Sequence, residues 1–233
     1  MPVGVITNVA SVFVGGMLGY LLRKKLTESL KASLNGAFGL AALVIGICLL
    51  NGISSLSAVI LALLLGCSVG ELLKVEDCTC NVIGVLTRKI PWFSGMDEEK
   101  LEAFISVMIL ILTSTTGIFG SMNEGITGDH SVLLTKSILD FFTAAIFAAN
   151  VGPIVPLLCI PQFALQMILF LSGSTLSAFL NDSMIGDFKA CGGIIIIAVG
   201  FKILNAYRFK ALNMLPALIF VLPVSYYWMM FFG

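Results

Sequence analysis

Charge is what this sequence has least of. Asp, Glu, Lys and Arg make up 11% of its 233 residues, where a soluble domain carries ~25%. The 13 basic and 13 acidic side chains cancel, so no basic excess exists to draw a nucleic acid. Histidine occurs once, at His130, which leaves no histidine cluster for a metal site or a proton wire. Of the cysteines, Cys48, Cys67, Cys159 and Cys191 fall in apolar runs, where a thiol packs as a small hydrophobe. Cys78-Thr79-Cys80 is half a metal site at most. The motifs GxSxG, HExxH and GxxxxGK[ST] are all missing. No enzymatic function, no ATP-driven pump within this chain and no cofactor or metal is therefore expected. No basic stretch precedes the first apolar run, so that run is expected to be retained as a helix rather than removed as a signal peptide.

What is present is hydrophobe. Apolar residues reach 58% and the mean hydropathy is +1.06, more than a soluble fold of this length can bury. The sequence reads as an all-α integral membrane protein whose main partner is the lipid bilayer. A helical span takes about 20 residues, and the apolar runs predict about eight of them. They are Val3–Leu22, Gly36–Ile53, Leu56–Leu73, Ala103–Gly120, Ser131–Asn150, Ile154–Ser172, Ala190–Ala206 and Leu212–Phe232. A β-barrel is a poor alternative, because its strands are ~10-residue alternating segments and these runs are longer and uniformly apolar.

Alternating the spans across a membrane gathers Arg23, Lys24, Lys25, Lys31, Lys74, Arg88, Lys89, Lys100, Arg208 and Lys210 on one side. Only Lys189 falls on the other, with Lys136 and Lys202 inside spans. By the positive-inside rule the basic side is cytoplasmic and both termini lie outside. The loop 74–102 is then cytoplasmic, and Val82, Ile83, Leu86 and Ile90 set against Arg88 and Lys89 predict an amphipathic helix at the anionic inner leaflet.

A shift of 154 residues aligns the chain with itself without a gap over about 44 positions. It sets Asn8 on Gln162, Gly19 on Gly173, Gly39 on Gly193, Gly46 on Gly200 and Asn51 on Asn205. The matched spans have opposite orientation, so the expectation is an inverted three-helix repeat, a recurrent transporter plan. Residues 3–73 form the first unit and 154–232 the second. Between them lie the loop 74–102 and a two-span polar insert, 103–150.

Two stretches, GVITNVASVFVGGMLGYLLRKKL at Gly4–Leu26 and GSMNEGITGDHSVLLTKSILD at Gly120–Asp140, carry a resemblance. With AFGLAALVIGICLL and CGGIIIIAVGFKIL, they resemble domain of unknown function 554, a bacterial family of multi-pass membrane proteins. The resemblance implies a bacterial cytoplasmic membrane location and supplies no substrate and no functional residues.

The polar residues are concentrated between Thr113 and Asp140. Lys136 and Asp140 stand four apart on one predicted helix and share a face. At mid-span each charge costs at least ~2.5–3.5 kcal/mol, so such residues pair, face a cavity and mark a pathway; the alternative is a pair that only fixes helix rotation. Asn123, Glu124, Asp129 and His130 sit in the acidic, glycine-punctuated NEGITGDH, either an outer gate or a solvated hairpin with Asp129 capping the next helix. Thr113 and Thr116 bring mid-span hydroxyls for a path or for helix packing. Asn8 and Gln162 are amides in equivalent positions of the repeat. Gly15-xxx-Gly19 and Gly66-xxx-Gly70 suit close helix packing, within one chain or between copies in a homo-oligomer.

These residues point to secondary transport or facilitated passage of a small solute or ion, coupled at Asp140 and Lys136. A channel gated at residues 120–130 and a non-transporting membrane scaffold are the alternatives.

Overall fold

The computed structural model describes residues 1–23, 28–89, 98–112, 114–207 and 209–232. Among the described residues it is helical and has no strand. Its α-helices are α1 (Val3–Leu21), α2 (Glu28–Leu49), α3 (Leu56–Leu72), α4 (Val75–Arg88), α5 (Glu98–Leu112), α6 (Thr115–Thr127), α7 (Ser131–Val151), α8 (Cys159–Leu176), α9 (Asp182–Ile203) and α10 (Ala217–Phe232). The helices start and stop where local chemistry directs. Ser55 and Asn181 cap α3 and α9 by accepting from Ala58 N and Met184 N. Gly128 ends α6 at φ 75°, a left-handed conformation that glycine adopts without strain. Large apolar side chains such as Leu40, Val44 and Ile47 on α2 and Ile160, Ile168 and Leu171 on α8 are exposed. In water such surfaces would associate; against lipid tails they are the outside of the protein.

The chain is therefore an all-α membrane protein. Among the described residues five helical segments are long and apolar enough to span, or six when α3 and α4 are taken as one bent span. The expected span Ala103–Gly120 is not one helix: it is divided between α5 and α6, with Ser114 extended at φ −62°, ψ 109°. The expected loop 123–130 is helical as far as Thr127. Alternating hydroxyls and glycines carry no signal that separates a continuous helix from a broken one, which is why the break was not expected.

The chain folds as two compact units, residues 1–34 with 79–173 and residues 35–78 with 174–233. Each unit takes helices both from residues 3–73 and from residues 154–232. The first unit is built on α1 against α7. A Cβ on Gly15 would stand 2.3 Å from the Phe141 carbonyl oxygen, and one on Gly19 2.1 Å from that of Ala145. Only glycine lets the two backbones approach so closely. The contacts advance in the same direction along both helices, so α1 and α7 run parallel. Val12, Phe104, Val107, Met108, Ala144 and Leu158 are buried in one cluster beside this pair.

In the second unit α2 and α9 run antiparallel, backbone to backbone. A Cβ on Gly46 would meet the Gly193 carbonyl oxygen at 2.6 Å and a Cβ on Gly193 the Gly46 oxygen at 2.7 Å. Further along, Gly39 and Gly200 face each other in the same reciprocal way, at 3.3 and 3.1 Å. Gly66 and Gly70 of α3 pack on Ala217 and Asn213. The start of α3 is held by Asp187 of α9, fully buried, which accepts from Ser54 N (2.9 Å), Ser55 N (2.8 Å) and Ser225 Oγ (2.6 Å).

Candidate functional site

The first unit gathers nearly all the polar side chains that the sequence singles out. Helix α7 carries Lys136 and Asp140 one turn apart, and both are buried, at 3% and 7% exposure. The Lys136 ammonium pairs with Asp140 Oδ2. Gly117 of α6 leaves the room for the lysine stem, since a Cβ there would lie 2.7 Å from Lys136 Cε. From α1, Asn8 Nδ2 donates to Asp140 Oδ2 at 2.9 Å. From α8, Gln162 Nε2 donates to Asn8 Oδ1 at 2.7 Å and reaches Asp140 Oδ2 at 3.3 Å. Gln166, one turn on, donates to Asn8 Oδ1 at 2.6 Å.

The direction of these bonds follows from the charge. A carboxylate only accepts, so Asn8 turns its NH2 toward Asp140 and its oxygen away. That oxygen takes the NH2 groups of both glutamines. Gln162 Oε1 and Gln166 Oε1 are consequently left on the far side, buried and without a hydrogen-bond partner. Both glutamines line a small pocket with Ile111, Leu112, Ser114 and Gly117, at the break between α5 and α6. Buried polar atoms without a partner are uncommon in native structures and ask for a ligand or a water.

Glu124 lies on the buried side of α6 rather than in a solvated loop. Its carboxylate accepts Gly4 N at 2.7 Å and Val5 N at 3.1 Å, two of the N–H groups that the first turn of α1 leaves without an intrahelical partner. Asn123 is buried beside it; its Nδ2 donates to the Asp129 carbonyl at 3.2 Å, and its Oδ1 has no partner. Asp129 Oδ1 accepts Ser131 N at 3.0 Å at the head of α7, and His130 is the residue before that helix, its side chain making no cap bond. Thr116 is buried in α6. Thr113 lies outside the described residues. The structure therefore brings Asn8, Gln162, Lys136 and Asp140 together, and places Asn123, Glu124, Asp129 and His130 toward the start of α1 and α7.

Sequence reasoning missed three residues. Gln166 stands one turn from Gln162 on the same helix, a spacing visible in the sequence. Asp187 was hidden in a connector beside Lys189 and Asp182, where a carboxylate draws no attention. Asn213 accepts Glu76 N at 2.7 Å and donates to Glu71 at 2.6 Å, in a patch with Lys202 and Lys210.

The profile of a family described as "Protein of unknown function (DUF554)" matches residues 3–226. The chain belongs to this family. The relative in Escherichia coli strain K12, "Uncharacterized protein YqgA", is 38% identical over 239 residues, covering 100% of both chains. The Bacillus subtilis relative, "Uncharacterized membrane protein YdfK", is 25% identical over 223 residues, covering 93% of this chain and 92% of its own. No solved structure matches the chain.

Proposed function

We propose that the chain carries a small solute or ion across the bacterial cytoplasmic membrane by secondary transport, with Asp140 and Lys136 as the coupling pair. One observation carries this reading. A buried carboxylate and ammonium are joined through amides to a pocket at a helix break, the kind of place where transporters bind. A pair serving packing alone needs neither the amides nor the pocket.

The internal repeat supports the same plan. A shift of 154 residues exchanges Gly39 with Gly193 and Gly46 with Gly200, so it turns the contact Gly46–Gly193 into the contact Gly200–Gly39. Equivalent contacts between antiparallel helices are those of a two-fold axis perpendicular to them. In the first unit the equivalent residues Asn8 and Gln162 bond each other directly. Gly19 and its equivalent Gly173 each press on a backbone carbonyl, of Ala145 and Met122. Parallel α1 and α7 start at the same end of the first unit.

The test uses the purified chain in proteoliposomes, with imposed gradients of sodium, potassium, ammonium and protons. Asp140→Asn combined with Lys136→Met leaves no unpaired charge and should fold, yet lose gradient-driven flux. Full flux through a stable double variant would overturn the reading, and a steep, unsaturable current would replace it with a channel.

A further inference from the structure

The pocket at the break between α5 and α6 has a defined chemistry. Two of the side chains that line it, Gln162 and Gln166, are 1% and 4% exposed, and each carries an unpartnered acceptor, Oε1. Ser114 Oγ makes no cap bond to its own helix. Ile111 and Leu112 belong to the last turn of α5, where carbonyls lack intrahelical partners and the helix dipole is negative. The occupant is thus something that is bound by oxygens. The pocket is also small, with room for about one water-sized occupant. A sugar or an amino acid does not fit, whereas a single dehydrated cation does.

Charge balance adds the second half. Lys136 and Asp140 together are neutral, so a cation arriving beside them leaves an excess positive charge in a low-dielectric interior, which is costly. The charged and titratable groups on the elements around Lys136 are few. Among the described residues they are Asp140 on α7, Glu124 on α6 (engaged by Gly4 and Val5), Asp129 and His130 ahead of α7, and Tyr20 and Cys159 on α1 and α8. In the sequence of α5 the charged residues are confined to its first five positions. Lys136 is the only cation beside the pocket among the described residues. Neutrality is restored when its Nζ–H bond breaks and the proton passes to water, leaving a neutral amine.

We propose that this pocket binds one small monovalent cation on Gln162 Oε1 and Gln166 Oε1 in exchange for the proton of Lys136. The inference rests on the transport reading only for its use in flux; binding and proton release are read without a gradient. It also fixes the role of Asn8, which transmits the charge of Asp140 to the pocket by holding both glutamine oxygens outward.

The experiment is a titration of the purified full-length chain in weakly buffered detergent with sodium, potassium, ammonium or choline chloride. Melting temperature and proton release are followed together. One of the three small cations should stabilise the protein saturably and release about one proton per chain, while choline does neither. Gln162→Leu and Gln166→Leu should each weaken that response at least tenfold. Lys136→Met should still bind the cation, without proton release; where it fails to fold, Lys136→Gln gives the same readout. Gln166→Glu should tighten binding. Equal responses to all four salts, or undiminished proton release in both leucine variants, would overturn the proposal. Binding with no flux would leave it standing and remove the transport reading; flux indifferent to the cation would do the reverse.

Discussion

The Glu124 carboxylate closes the start of α1 by taking the Gly4 N–H at 2.7 Å, and Gly4 has no side chain to stand in its way. A Cβ on Gly4 would lie 2.9 Å from Glu124 Oε2 and 2.9 Å from Leu133 Cβ. The two residues form a lock between α6 and α1, one turn from Asn8.

Removing that lock has a predicted size. Glu124→Ala exposes two amide N–H groups in a buried place, which should destabilise the fold by ~1–3 kcal/mol. Gly4→Ala should destabilise by a comparable amount through the clash. Both are read as lowered melting temperatures in detergent; an unchanged Glu124→Ala melt would show that water replaces the carboxylate.

Gly19 sets how closely α1 approaches α7. A Cβ there has only 2.1 Å to the Ala145 oxygen, so Gly19→Ala forces the helices apart, and Gly19→Leu should abolish the folded species on size exclusion. Gly36 is the control, with nothing within 4 Å of its Cβ position. Gly36→Ala should be tolerated or gain a few tenths of a kcal/mol from helix propensity.

Orientation is tested by labelling. In a cysteine-free background, single cysteines at Ser131 and Ala178, both exposed, should react with a membrane-impermeant maleimide in intact cells. Cysteines at Arg23 and Lys89, exposed at the basic ends, should react only after permeabilisation. Reversal at Ser131 and Arg23 would invert the topology.

Lys210 gives a pH test outside the spans. Asp77 foremost, then Glu71, raise its pKa above the ordinary 10.5. A lysine raised on folding stabilises the fold fully at and below neutral pH, and that contribution fades as pH rises through the folded value. Lys210→Met should therefore melt slightly lower than the parent at neutral pH, and the two curves should converge only above pH 10.5. The difference is expected to be small, because the pair is exposed.

The sequence foretold the ion pair through a plain spacing rule, and it set Asn8 and Gln162 at matching positions without showing that the two would bond. It was silent on what only the third dimension decides. Ser114 breaks a helix in a run whose hydroxyls equally suit a continuous one. Glu124 reads as a loop acid until α1 is placed with its first turn against it. Asp187 reads as a connector charge until the amides of Ser54 and Ser55 arrive from far along the chain. For Glu124 and Asp187 the deciding partners include backbone N–H groups, and backbone donors leave no mark in a residue pattern.

The interleaving of the two compact units sets a timetable for biogenesis. Residues 35–78 cannot complete their unit until residues from Ser174 onward have emerged, and Thr79–Gly173 is translated in between. At ~5–20 residues per second that interval is roughly 5–20 s. Throughout it the glycine faces of α2 and α3 that are meant for α9 and for residues 213 and 217 are still open. The nascent protein therefore passes through a stage in which these close-packing faces are available to any neighbouring helix, so insertion machinery that shields them should matter more for α2 and α3 than for any later segment.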